Sequence, residues 1–399
     1  MEKTVCELFA GVGGFRLGLE RASKEWKTVW FSQWEPGRTK QWAHNCYVSH
    51  WGDIDENTGL DIGIVDKEQI PSHNLLVGGF PCQDYSVARP LPGSSGIEGK
   101  KGVLWWQIRD TLQAKGASFV LLENVDRLLK SPASQRGRDF GVILSCLADL
   151  GYAVEWRVVN AAEYGAGQRR RRIFIFAYNL SSKYSNALKG AAVSEIVNSK
   201  GFFARTFPIH PTDIISSTTL NYHDIPNVSE TFKFGFENAG YMINGTVYTA
   251  KVSPVIEKAI PLRVLLERDV PEKYVLKSDL GKWEYLKGSK KVNRISKTGH
   301  EYVFSEGPIA FPDDIDMPAR TMLTSESSLN RSTHVIRDSQ NGELRLLTPV
   351  EAERIQGFDP DWTNTGMPEK FRYFCMGNAL VVPMITRMGK TLNEIFDAE

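Results

Sequence analysis

The sequence predicts an α/β chain: a doubly wound sheet, then a second, smaller domain that is irregular and rich in strands. Two observations carry this. From residue 4 to 179, short apolar runs bounded by turn residues alternate with stretches of helical periodicity. After Tyr178 that rhythm stops, and Gly, Pro, Ser, Thr and Asn with scattered aromatics take over until about residue 335. Regular patterning then returns, so the expected segments are 1–179, 180–342 and 343–399.

Thr4-Val5-Cys6-Glu7-Leu8-Phe9 reads as a buried strand running into Gly11-Val12-Gly13-Gly14 and a helix that places Phe15, Leu19, Ala22 and Trp26 on one face. Strand, glycine turn and helix form the nucleotide-binding opening of a doubly wound fold, where the glycines let a ligand approach the backbone. A second strand, 28–34, ends in Glu35, about twenty residues after the turn, where an acid can accept hydrogen bonds from ribose hydroxyls. Asp53 is placed to close a third strand with another polar contact. These features point to an adenosine-type cofactor without saying which.

The run Leu75-Leu76-Val77 leads into Gly78-Gly79-Phe80-Pro81-Cys82-Gln83. A strand stops there and hands one thiol to a loop, with Pro81 stiffening the residue before it. A deprotonated cysteine is the strongest ordinary side-chain nucleophile, so Cys82 is a candidate for covalent chemistry; a buried structural thiol is the plainer alternative. About twenty residues follow, 84–103, rich in Gly, Pro, Ser and Lys, which read as a lid over a site. A helix from about Leu104 and the strand Phe119-Val120-Leu121-Leu122 come next, and the latter delivers Glu123-Asn124-Val125.

Asp139 is expected to cap a helix whose Phe140, Ile143, Leu144, Leu147 and Leu150 share one face, with Cys146 in the core. Strands at 152–160 and 173–177 flank Gln168-Arg169-Arg170-Arg171-Arg172. Alternation in an extended stretch puts Arg170 and Arg172 on one side, Arg169 and Arg171 on the other. Thr348-Pro349-Val350-Glu351 is a capping box with proline in the first helical position, and its helix stops near Gly357. Gly377-Asn378-Ala379-Leu380 reads as another glycine turn, opening a helix to about Ile395.

A chain of 399 residues, 42% hydrophobic and 24% charged, is ordinary globular composition. No apolar run reaches a membrane span, and the opening residues form a strand rather than a signal peptide. Five cysteines without paired or ligand-like spacing favour reduced thiols, a cytoplasmic setting and no zinc. The net charge of +1 hides an uneven distribution: seven Lys or Arg against two acids lie between Lys277 and His300.

Together, the glycine loop Phe9 to Gly14, Pro81-Cys82-Gln83, Glu123-Asn124-Val125, the Gln168 to Arg172 run, the Arg345 to Phe358 segment and Gly377-Asn378 resemble the C5 cytosine-specific DNA methyltransferases of bacterial type. All occur in that family's order, over residues 4–179 and 343–395. The resemblance implies a Rossmann-like S-adenosylmethionine-dependent fold, a target-recognition domain in the variable middle, and a last helix that returns beside the first strand. It implies that Cys82 attacks C6 of a flipped-out cytosine while Glu123 holds N3 and the exocyclic amine. Arg172 would reach O2, and Arg170 would support the cysteine.

By the same resemblance Phe9, Val12, Gly13, Glu35, Asp53, Ile54, Gly79, Pro81, Leu104, Asn378 and Ala379 would contact S-adenosylmethionine. Gln83 and Ser86 beside the cysteine would face nucleic acid. For Lys287, Lys290, Lys291 and Arg294 the local excess of positive charge suggests phosphate contacts. The sequence departs from the family at Glu7, Pro36, Asp84 and Ala379. The expected partner is duplex DNA, the expected state a prokaryotic cytoplasmic monomer, and the expected role restriction-modification, which admits a cognate restriction endonuclease as partner. Two alternatives are a cytosine methyltransferase acting on RNA, which has no evident need of so large a middle segment, and a non-catalytic regulator with this fold, which has no reason to keep Cys82, Glu123, Arg170 and Arg172 together.

Overall fold

The computed structural model describes residues 1–80, 103–295 and 299–399. The first half alternates as expected: β1 Thr4–Leu8, α1 Gly14–Ala22, β2 Lys27–Ser32, α2 Trp42–Trp51, β3 Leu75–Gly79, α3 Val103–Lys115, β4 Phe119–Val125, α4 Arg138–Asp149, β5 Tyr152–Asn160 and β6 Arg171–Asn179. Period-two alternation sets the two faces of the sheet. Leu76, Val120 and Leu122 point into a core with α3 and α4, whereas Leu75, Val77, Phe119 and Leu121 point into a core with α1. Strands buried on both faces read as continuous apolar runs, which is why they were legible.

The sheet order is β2-β1-β3-β4-β6-β5, parallel from β2 to β4 and antiparallel at β6 and β5. β1 lies between β2 and β3, so the chain reverses its winding direction there. Open α/β sheets bind ligands at that point, outside the carboxyl ends of the strands.

After residue 180 the sheet does not end. Three short helices, α5 Lys183–Ala187, α6 Val193–Glu195 and α7 Phe202–Thr206, lead to β7 Ile209–His210, β8 Ile215–Thr219, α8 Ile225–Thr231, β9 Ala239–Ile243, β10 Thr246–Ala250 and β11 Ser253–Pro254. β9 pairs with β5, then β10 and β8 follow, all antiparallel, completing a nine-stranded sheet. The loss of helix–strand alternation at 180 therefore does not end the sheet: the antiparallel pairing that begins at β6 and β5 continues through β9, β10 and β8. The remainder carries α9 Leu280–Lys287, β12 Lys290–Ile295, β13 Glu301–Glu306, β14 Val335–Arg337, β15 Leu344–Leu346, α10 Pro349–Gln356, α11 Glu369–Asn378 and α12 Val382–Ala398.

α12 does return to the start of the chain. It packs along α1; the amino terminus donates to Phe396 O at 2.8 Å, Lys3 meets Asp397 at 2.7 Å, and Trp26 Nε1 donates to Asn393 at 2.7 Å. The capping box at Thr348 and Glu351 is present, with the left-handed Gly357 closing α10.

Three local readings are corrected. Asp53 closes no strand: it lies in the loop after α2. Asp139 is not the cap of α4, which Gly137 provides; buried as the second residue of the helix, its carboxylate accepts from Ser131 and Arg138. Gly377 and Asn378 end α11 rather than opening the last helix, which starts at Val382.

Candidate active site

The carboxyl ends of β1, β2, β3 and β4 open into a cavity of about 590 Å³. Its floor is the turn after β1. Phe9 has φ +56, a region that non-glycine side chains rarely adopt, and is held there by a loop tied at both ends. Ala10 N donates to Ser32 O at 2.9 Å and Gly11 N to Gln33 Oε1 at 2.7 Å, anchoring the turn to the end of β2. Glu35, buried, caps α2 by accepting from Ala43 N at 2.9 Å, and burial raises its carboxyl above the usual range.

Glu123 emerges from β4 opposite Gly79. Arg172 Nε reaches Glu123 Oε1 at 2.8 Å, and both side chains are largely buried while still lining the cavity. Alternation along the arginine run is as expected: Arg170 and Arg172 face the cavity, Arg169 and Arg171 are exposed elsewhere. Arg170 is buried, and its two terminal nitrogens donate to Met322 O and Gly377 O, each at 3.0 Å. Burial first, then the charge of Arg172, pushes its pKa down to about 9.

Pro81, Cys82, Gln83, Ser86 and the expected lid lie outside the described residues. Their approach, however, is defined. Buried Asn124 donates from Nδ2 to Phe80 O at 2.8 Å, and its Oδ1 accepts from Val125 N at 2.8 Å. One side chain thus fixes the backbone immediately ahead of Pro81-Cys82. The four described cysteines are all buried, and burial raises every one of their thiols, Cys46 and Cys146 to about 12. None is suited to form a thiolate.

Of the residues expected at a cofactor, Phe9, Val12, Glu35, Gly79, Asn378 and Ala379 line this cavity. Gly13 does not; it caps α1, and a β-carbon there would lie 2.3 Å from the Trp51 ring. Asp53 turns away, its carboxylate accepting from Thr58 Oγ1 at 2.6 Å and from Ile54 N, and Ile54 is exposed outside the cavity. Leu104 packs on the core below. The sequence reading missed Arg38, stacked over Phe371 at 4.6 Å and near Phe374 on the cavity wall. A guanidinium over a ring pair that is distant in sequence leaves no local signal.

Among the proposed phosphate contacts, Lys287 is corrected. It is 1% exposed and its ammonium donates to Thr333 O, with burial pushing its pKa down to about 8. Lys290, at the edge of β12, lies over Tyr285; Lys291 and Arg294 are exposed.

Solved structures share this architecture. The Entamoeba histolytica methyltransferase EhMeth covers 100% of this chain and 99% of its own (17% identity, TM-score 0.59). The S. pombe Dnmt2 methyltransferase covers 99% of both (16% identity, TM-score 0.60). At those identities they show the fold alone. The sequence decides the family: the C-5 cytosine-specific DNA methylase model matches residues 3–394. Type II methyltransferase M.Sau3AI of Staphylococcus aureus is 50% identical over 98% of this chain and 95% of that protein. M.SsoII of Shigella sonnei is 26% identical over 98% and 80%. The chain belongs to the C-5 cytosine-specific DNA methylases.

That family is S-adenosylmethionine-dependent, and the cavity suits such a group. It combines a carboxylate at the end of β2, a glycine turn at the start of α1 and aromatic walls.

Proposed function

We propose that this chain methylates C5 of cytosine in a specific duplex DNA sequence through a covalent bond between Cys82 and C6. The observation that carries the proposal is the convergence of Glu123 and Arg172, 2.8 Å apart, on the same cavity as the turn after β1, with Asn124 holding the carbonyl that leads to Cys82. C5 of cytosine is too weak a nucleophile alone. Addition of the Cys82 thiolate to C6 makes C5 enamine-like. Glu123 stabilises charge developing at N3 and the exocyclic amine, and Arg172 does so at O2. S-adenosylmethionine would supply to C5 a methyl group made electrophilic by its bond to the sulfonium sulfur, leaving as the thioether. With the methyl on C5, loss of the C5 proton and expulsion of the thiolate from C6 restore the ring. Phe9, Val12, Glu35, Gly79, Asn378 and Ala379 would hold S-adenosylmethionine, with Pro81 nearby. Arg170 acts at one remove, by fixing the start of β6.

Such chemistry needs the base out of the helix, and the segment after Cys82, with Gln83 and Ser86, is where a closing element belongs. Residues 180–342 would supply target recognition, and the role would be modification within a restriction-modification system, by a cytoplasmic monomer alongside a cognate endonuclease. The test compares wild type with Cys82→Ser using labelled S-adenosylmethionine on duplex DNA and transfer RNA in parallel. Label should enter DNA with wild type only. Equal incorporation by both proteins would refute the covalent route, and label confined to RNA would refute the substrate.

A further inference from the structure

Among the described residues, β12 and β13 form a two-stranded ribbon that pairs with no other strand. Isolated hairpins are marginal in water, so this one depends on its base. There Arg331 donates to Leu286 O at 2.9 Å, to Gly288 O at 3.0 Å and to Gly307 O, and Lys287 is buried against Thr333 O. The next residues back, 319–322, are bound to the arginine run: Arg169 N donates to Ala319 O at 2.8 Å, and Met322 N to Gln168 Oε1 at 3.1 Å. Arg320 links the two ends, pairing with Asp313 and donating to the carbonyls of Ser332 and Thr333. The ribbon's base is thus joined to Gln168 and Arg169, immediately ahead of Arg170 and of β6, which carries Arg172.

Register divides the ribbon into two faces. Lys290, Val292, Arg294, Tyr302, Phe304 and Glu306 share one, whose charged groups have partners although Val292 and Tyr302 are exposed: Arg294 stacks 3.8 Å over Phe304, Lys290 lies over Tyr285, and Glu306 faces Arg331. Lys291, Asn293, Ile295, Glu301, Val303 and Ser305 share the other, and all six are exposed, Ile295 by 69% and Val303 by 61%.

An open face that mixes a cation, an amide, a carboxylate, a hydroxyl and two branched aliphatics is matched to base edges. Lysine suits guanine O6 and N7, asparagine suits adenine N6 and N7, and aliphatic carbons suit the thymine methyl. B-DNA's major groove admits a two-stranded ribbon, and β12 carries three cations, Lys290, Lys291 and Arg294, of the charge that attracts a phosphate backbone.

Resting on the function proposed above, we infer that this open face enters the major groove, with Lys291 and Asn293 reading base edges. Arg294, on the other face, contributes charge rather than readout.

The test methylates a library of randomised duplexes with wild type, Lys291→Ala, Asn293→Ala and Arg294→Ala, then maps every modified cytosine. Each of the first two variants should relax preference at one base position by on the order of tenfold or more, the loss expected for one good base contact. Arg294→Ala should weaken all sites alike and leave the motif intact. Unchanged motifs for both Lys291→Ala and Asn293→Ala would overturn the ribbon's role while leaving the function standing. A wild type that modifies no duplex would overturn the function, and the ribbon's role with it.

Discussion

Arg170 brings a full guanidinium into the interior, where its hydrogen-bond acceptors are the neutral carbonyls of Met322 and Gly377. A charge so placed is costly to desolvate, which is why its pKa falls. What it does in return is tie three distant segments, at residues 170, 322 and 377, to one point beside the cavity. Arg170→Met should leave both carbonyls buried without donors and cost roughly 2 kcal/mol or more, read as a lower urea midpoint at constant slope. A midpoint equal to wild type would show that those segments hold together without it. The arginine run and its alternation were legible in sequence because extended backbone has a strict period of two. The carbonyl partners were not, because any residue can present a carbonyl.

At the scale of elements, the contact of α1 with α12 rests on close approach. A β-carbon at Gly18 would lie 2.5 Å from Ile385, and one at Gly389 would lie 2.7 Å from Ala22. On an exposed helix, Gly→Ala gains about 1 kcal/mol of helix propensity. Here overpacking, typically about 1–3 kcal/mol, opposes and should exceed that gain. Gly18→Ala is therefore expected to lower the melting temperature; a rise would mean the helices move apart freely. The capping box of α10 was readable because Thr348 and Glu351 are three residues apart in sequence. The first turn of α4 was misread because Gly137 caps it with backbone alone, while Asp139 turns inward to Ser131 and Arg138.

At the scale of the whole molecule, the described carboxyls of Glu7 and Glu155 are deeply buried without a full counter-charge. Burial raises Glu7 to about 8, against Tyr47 and Arg16, and Glu155 to about 7, against Tyr184 and backbone N–H groups. Both bind their protons in the native state well above the usual 4.5, so the folded chain holds more protons than the unfolded one between about pH 4.5 and 8. Their contribution to stability must fall as pH rises through that window. His44 and His73, lowered by burial, act in the opposite sense and only below about 6.5. From pH 6.5 to 8 the urea midpoint of wild type should therefore decline, and Glu7→Gln, which keeps the shape and loses the titration, should decline less. Parallel slopes for the two proteins would refute the assignment to Glu7.

Local sequence alone determined the parallel half of the sheet, the glycine turn, the strand-end position of Glu123, the arginine alternation and the α10 cap. Each rests on a period or a fixed short spacing, which survives in one dimension. Only the tertiary structure decided that strands from the irregular middle continue the sheet, that Asp53 and Gly13 lie outside the cavity, that Asn124 grips the Phe80 carbonyl, and that Lys287 is buried while Lys291 and Asn293 stand open. Those outcomes depend on which distant segment arrives as a neighbour. Burial and partnership are properties of that neighbour, and they leave no period in the chain.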